Sequence, residues 1–268
     1  MNYNAVLDLS HYTALGNGTA LRNRKQWETE MAFRALRDFG AIRPDAQILG
    51  VGAGRERLIY TLSAMVRWVF ATDIYLAPGR WSAWHDATML MDPGAHAAAF
   101  ADGLPYDDRR IVPMHMDGRA LRFPDNTFDG IFSSGSIEHF GEQDQFPQWE
   151  AVEQAAREMG RVLKPGGVLS LSTEYKLSGD GWGFDIVRCF DRDDVLRYIV
   201  EPSGLTMADE LETTVSADTL ETRWHMHDPQ VPDVEAVVAY GDYTFTSVHL
   251  ALVKPHRPNI RYTGGWTA

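Results

Sequence analysis

Two periods of hydrophobicity alternate along the chain. Short apolar runs that end in Gly, Asp or a turn fall at Gln47–Val51, Trp68–Thr72, Ile111–His115, Phe128–Phe132 and Val168–Thr173. Their length and flanking breakers predict buried strands. Between them the apolar residues recur at helical spacing. Trp27, Met31, Phe33, Leu36 and Phe39 do so over 26–39, where Gly40 is a stop signal. Trp149, Val152, Ala156, Met159 and Val162 do so over 148–163, ahead of the terminator Lys164-Pro165-Gly166-Gly167. Asp191–Val200 reads as another helix, and two later strands are expected near Leu205–Leu211 and Thr244–Val253. Strands alternating with helices over short links predict an α/β fold with a doubly wound, mostly parallel seven-stranded sheet and helices on both faces.

The same pattern divides the chain. Residues 1–45 read as a polar, turn-rich N-terminal arm or lid followed by a helix; 46–254 form the α/β domain; and 255–268, with Pro255, Pro258 and Gly264-Gly265, read as an irregular tail. Two stretches, about 76–110 and 212–235, exceed what such connections need. The first holds Trp81, Trp84 and His85, the second Trp224-His225-Met226-His227. Long insertions after strand ends are where binding pockets are built.

The candidate chemistry starts at Gly50-Val51-Gly52-Ala53-Gly54, where the first apolar run breaks into alternating glycines before a helix-like stretch that begins near Arg55 and Glu56. Glycine permits a sharp turn and a close ligand approach because it has no Cβ. Asp73, followed by Ile74, closes the next run, where an acid can accept hydrogen bonds from both hydroxyls of a ribose. A dinucleotide fingerprint needs a glycine at the sixth position of the loop, but Arg55 or Arg57 stands there, depending on register. No Gly-Lys pair occurs, so the P-loop pattern is absent as well. A loose glycine loop with no phosphate to cradle suits S-adenosylmethionine, which carries an adenosine, a sulfonium and an amino-acid tail.

Net charge narrows the acceptor. At −12, without a Lys/Arg cluster beyond the short Arg22–Lys25, the chain lacks the basic stripe that nucleic-acid binding needs. No apolar stretch approaches the roughly 20 residues of a membrane span. Cys189 is the only cysteine and the start shows no signal-peptide pattern, which agrees with a cytoplasmic protein. A small-molecule partner is expected, with neither nucleic acid nor membrane; oligomeric state is not legible.

With the glycine loop, Asp73, Asp117 and the Lys164–Gly167 turn in order, the chain resembles the class I S-adenosylmethionine-dependent methyltransferases, which have a Rossmann-like fold. The subgroup it is most similar to is typified by the quinone-biosynthesis methyltransferases. The likeness is carried by Met116-Asp117-Gly118-Arg119-Ala120-Leu121-Arg122-Phe123-Pro124-Asp125-Asn126-Thr127-Phe128-Asp129-Gly130-Ile131 and by Arg161-Val162-Leu163-Lys164-Pro165-Gly166-Gly167. It implies that Gly52 and Gly54 pass the cofactor's amino-acid part and that Asp73 holds the ribose. It further implies that Asp117 receives the adenine amino group beside Gly118, and that Ser133 lies near the methionyl end. The sequence departs from the family where Gly50 replaces the acid that helps to hold the cofactor's ammonium, and where Glu56 replaces a third glycine. Glu56 is the candidate to supply the missing charge.

The resemblance implies methyl transfer to a small molecule, and the expected acceptor is a hydroxyl of a sugar or another secondary metabolite. A hydroxyl acceptor with a high pKa needs a base. His139, just past the fourth strand, is the first candidate for it. Trp81, Trp84, His85, Glu174 and Tyr175 are candidates for the acceptor pocket. His225 and His227 would share a face if extended, but no metal site is expected. A non-catalytic scaffold that keeps the fold, and a nicotinamide-dependent oxidoreductase, are the alternatives.

Overall fold

A computed structural model describes residues 1–11, 20–76, 87–101, 103–141, 149–184 and 187–256. The elements that build the site are β1 (Ala5–Val6), α1 (Arg24–Asp38), β2 (Gln47–Val51), α2 (Arg57–Ser63), β3 (Trp68–Asp73), β4 (Ile111–His115), β5 (Phe128–Ser134), α3 (Trp149–Val162), β6 (Leu163–Ser178), β7 (Gly183–Phe184), β8 (Val187–Arg188), β9 (Thr206–Met207), β10 (Trp224–His225), β11 (Val238–Tyr240) and β12 (Tyr243–Val253).

The main sheet runs β10-β11-β12-β6-β5-β2-β3-β4, with β1 and β9 also paired to β12. Strands β4, β3, β2, β5 and β6 are mutually parallel, and β12 runs antiparallel to β6. This is the Rossmann-like arrangement of the sequence reading, extended from seven strands to ten by the short strands β1, β10 and β11. Chain order reverses at β2, which lies between β3 and β5. At such a switch point the connections leave toward opposite faces and open a crevice beyond the carboxyl ends of the strands.

The expected helices and strands form for the reasons their patterns give. α1 starts where the Asn23 side chain accepts from the Gln26 amide at 2.9 Å, and it buries Trp27, Met31, Ala32, Ala35 and Leu36. Each large side chain among these contributes roughly 1.5–3 kcal/mol of burial. This face joins Leu58 and Ile59 of α2 in one core cluster, whereas Val152, Met159 and Val162 of α3 pack into a second with Ile131 and Leu169. β5, central and parallel, is buried along almost its whole length.

Four expectations change. Residues 1–11 are not an arm or lid: Tyr3, Asn4, Val6 and Leu7 are buried and β1 pairs with β12, because these few apolar residues close the sheet's last antiparallel strand. The 212–235 insertion supplies Met226 to the cavity described below, as expected of it, but it is also tied to this segment, with Asp8 accepting from Ser216 Oγ at 2.6 Å and from Thr219 Oγ1 at 2.7 Å, and it contributes β10 to the sheet edge. Of the strand expected at Leu205–Leu211 only β9 forms; beyond it, the chain turns to meet Asn2 and Asn4 through the Glu210 and Asp209 carbonyls. The helix expected at Asp191–Val200 runs on to Ser203, with a π-helical stretch over Val195–Val200 ahead of Pro202, which cannot donate a helical hydrogen bond.

Candidate functional site

A cavity of about 500 Å³ opens beyond the carboxyl ends of the central strands. Its first wall is the glycine loop. Gly52 has φ +62°, and a Cβ there would stand 2.5 Å from Ser136 Oγ, so only glycine fits this turn. The loop is locked to the next strand by Asp73. Its Oδ2 accepts from the Gly54 amide at 2.8 Å and its Oδ1 from the Ile74 amide at 2.6 Å. A carboxylate can accept about four hydrogen bonds, so these two amides do not by themselves saturate it. Tyr75 Oη donates to the Gly54 carbonyl at 2.7 Å and steadies the loop from the other side.

Asp117 and Gly118 form the adjoining rim. The Asp117 carboxylate accepts from Arg119 Nη2 at 2.8 Å and Nε at 3.0 Å. Burial alone would raise this carboxyl, but the Arg119 guanidinium holds it below the usual range. The Phe140 ring packs against the places where side chains at Gly52 and Gly118 would grow.

Beyond Ser136 lies a buried ionic cluster. Glu28, Glu138 and Glu174 are all at most 4 % exposed, Arg24 is buried beside them, and Lys25 closes the cluster with a half-exposed side chain. Arg24 pairs with Glu174, and Lys25 Nζ reaches Glu28 Oε1 at 3.0 Å, Glu28 Oε2 at 3.2 Å and Glu174 Oε1 at 3.3 Å. Burial works against the Glu174 carboxylate, yet Arg24 and Lys25 outweigh it and hold its pKa at about 2. Glu138 is pushed the other way, up to about 8, by burial and by the neighbouring charge of Glu174. Its Oε2 accepts from Thr173 Oγ1 at 2.8 Å, while Oε1 has no hydrogen-bond partner among the described residues. An apolar wall of Phe184, Val187, Met226 and Phe245 completes the cavity. Phe245 joins it to the cluster, with the Arg24 guanidinium 5.2 Å from its ring centroid.

Of the residues singled out in the sequence, Gly52, Gly54, Glu56, Asp73, Ile74, Asp117, Gly118, His139 and Glu174 line this one cavity. Glu56 is half-buried, with one carboxylate oxygen shielded and unpartnered among the described residues, and burial followed by the charge of Glu28 raises its pKa well above the ordinary value. Three residues stand elsewhere. Gly50 lies behind the wall, against Phe132. Ser133 is buried under it and shares a 2.9 Å hydrogen bond with Ser136 Oγ, so that Ser134 and Ser136 line the cavity instead. Tyr175, next to Glu174 on β6, points to the opposite face, because side chains alternate along a strand, and it packs in the core with Phe190. Trp81, Trp84 and His85 lie outside the described residues. His225 and His227 are exposed, and the φ of +82° at His227 breaks the extended geometry that would align them. No group of three metal-ligating side chains occurs among the described residues.

The sequence reading missed Arg24, Lys25, Glu28 and Glu138. Arg24 with Glu28 and Lys25 with Glu28 sit at the i,i+4 and i,i+3 spacings of one helix turn, and Glu138 adjoins His139. Those spacings were visible, but they look the same on a solvated helix face.

Residues 81–171 match the model of a methyltransferase domain. No curated protein matches the chain. Among solved structures, the chain is similar to an S-adenosylmethionine-dependent methyltransferase from Clostridium acetobutylicum (TM-score 0.52, 10% identity, 87% of this chain and 92% of that one). It is also similar to the [4+2]-cyclase SpnF (TM-score 0.51, 16% identity, 85% and 82%) and to the YcgJ protein from Bacillus subtilis (TM-score 0.50, 16% identity, 84% and 99%). At these identities the likeness is one of fold. The segment matched by the domain model contains Asp117, Gly118, Ser133 and His139, and the solved structures share the Rossmann-like fold.

Proposed function

We propose that this cavity holds S-adenosylmethionine at its glycine-loop end and methylates a hydroxyl of a small molecule at its ionic and apolar end. The observation that carries the reading is Asp73: an acid at the tip of β3, tied to the Gly54 amide at 2.8 Å, lining a cavity that also holds Asp117. The residues present fit the cofactor. A side chain at Gly52 would collide with Ser136, so the bare backbone leaves room, and the shielded, unpartnered oxygen of Glu56 suits an ammonium.

In this reading Asp73 accepts the two ribose hydroxyls, Asp117 with Gly118 receives the adenine amino group, and Glu56 faces the ammonium in place of the acid missing at position 50. When bound, the cofactor supplies a methyl group activated by a sulfonium. The protein orients the acceptor and excludes water, which accounts for much of the acceleration in such transfers. His139 lines the cavity and its Nε2 is 3.9 Å from Glu138 Oε1, which makes the two a candidate proton-accepting pair. The apolar wall of Phe184, Val187 and Phe245 favours a metabolite with an apolar body over a free sugar. The likeness to the quinone-biosynthesis subgroup rests on 116–131 and 161–167 and fits such an acceptor. The lone, buried Cys189 fits a cytoplasmic setting, and no helix among the described residues is long and apolar enough to cross a membrane. The test is a screen of hydroxyl compounds read out as S-adenosylhomocysteine release. Turnover with an uncharged hydroxyl compound supports the reading; binding of the cofactor with no turnover of any hydroxyl compound goes against O-methylation.

A further inference from the structure

The ionic cluster is unevenly satisfied. Lys25 has three hydrogen-bond donors on its ammonium and three carboxylate oxygens within 3.3 Å to receive them. Arg24 is engaged by Glu174, Ser247 and Glu28. Two cations and the carboxylates of Glu28 and Glu174 therefore balance one another. Arg24 Nε has no hydrogen bond among the described residues and lies 3.7 Å from the Glu235 carboxylate, and with the four charges of the cluster cancelling, its net charge favours neither an anionic nor a cationic ligand. Among the carboxylate oxygens of Glu28, Glu138 and Glu174, the one without a donor from the described residues is Glu138 Oε1, on a fully buried side chain that lines the cavity. A buried acceptor without a donor carries a desolvation penalty that a ligand donor removes. The neighbouring wall is apolar and aromatic, with the rings of Phe184 and Phe245 5.4 Å apart.

We propose that the acceptor is an uncharged, ring-sized apolar molecule bearing a hydroxyl, and that Glu138 Oε1 both receives the hydrogen bond of that hydroxyl and takes its proton. This rests on the methyl-transfer reading. In the step, which uses the carboxylate form of Glu138 that grows as pH rises toward about 8, the acceptor oxygen forms the new O–C bond, its O–H proton passes to Glu138 Oε1 and the C–S electron pair stays on sulfur. Glu138, then a neutral acid, hands its proton toward solvent through His139, 3.9 Å away. His139 is thus the second station for the proton and Glu138 the catalytic residue.

The experiment measures binding of phenol, toluene, benzoate and benzylammonium by ligand-observed NMR, with the full chain saturated with S-adenosylhomocysteine. Phenol is expected to bind about tenfold more tightly than toluene or either ion, as one good buried hydrogen bond provides. Glu138→Gln is expected to remove about tenfold of the phenol affinity and to leave S-adenosylhomocysteine affinity within about twofold. Equal binding of all four probes to the wild-type protein overturns the proposal whether or not the variant folds, and so does an unchanged phenol affinity in a folded variant. If S-adenosylhomocysteine itself does not bind, the methyl-transfer reading fails first, a result distinct from a cofactor-bound protein that does not discriminate among the probes.

Discussion

The ring of Phe132 occupies the space into which a side chain at Gly50 would grow: a Cβ at position 50 would lie 2.5 Å from Phe132 Cζ and 2.8 Å from the Ala53 Cβ. This accounts physically for the glycine where the resembling family carries an acid. Gly50→Asp is expected to destabilise the fold by at least about 2 kcal/mol, through overpacking and a charge with no partner. Urea unfolding checks it; an unchanged midpoint would show that β2 and β5 have room to spare.

Glu56 then becomes the acid available near the loop. Glu56→Gln is expected to weaken S-adenosylmethionine binding about tenfold, the worth of one charge-assisted contact. Titration calorimetry reads this directly, and equal affinities for variant and parent would remove Glu56 from the cofactor site.

Arg24 holds the other end of the cavity together. Its replacement in Arg24→Leu leaves Glu174 with Lys25 as its remaining close cation, and breaking a buried pair of this kind costs about 3–5 kcal/mol. Denaturant unfolding is the measurement, and a loss below about 1 kcal/mol would mean that the cluster is hydrated and weakly coupled.

Glu138 gives the fold a pH signature. Its pKa rises from an ordinary 4.5 to about 8 on folding, because of burial and the nearby Glu174 and Glu28, against the pull of Lys25. The folded state therefore holds a proton that the unfolded chain releases. The contribution is fully present below 4.5 and is lost as pH rises through about 8. Glu138→Gln, which cannot lose a proton there, is expected to gain stability relative to wild type across that window and to keep a constant difference above it. Thermal unfolding at a series of pH values tests this, and a difference that does not vary with pH would contradict it.

Much of the frame was legible in the sequence because it depends on short-range patterns. β2, β4 and α3 fall within a residue of where apolar periodicity and the breakers Gly40 and Lys164–Gly167 put them. The loop glycines, Asp73 and Asp117 converge because strand order brings the carboxyl ends together. The acceptor end was not legible. Arg24 and Glu174 are 150 residues apart and meet only through the packing of α1 against β6, and no local pattern encodes such a meeting. β1 was missed for a similar reason: Ala5 and Val6 make a strand only because β12 offers them an edge. Tyr175 was misassigned because its face depends on the register of β6, which a run buried on both sides leaves undetermined.

The most direct measurement is calorimetric titration of S-adenosylhomocysteine into the wild-type chain and into Asp73→Asn, which keeps a side-chain oxygen for the Gly54 amide but gives up the second carboxylate acceptor. One equivalent bound by the wild type, and affinity lower by about tenfold or more in the variant, is the predicted result. No binding to the wild type, or the same affinity in both proteins, would contradict the assignment of this cavity to an adenosine-bearing methyl donor.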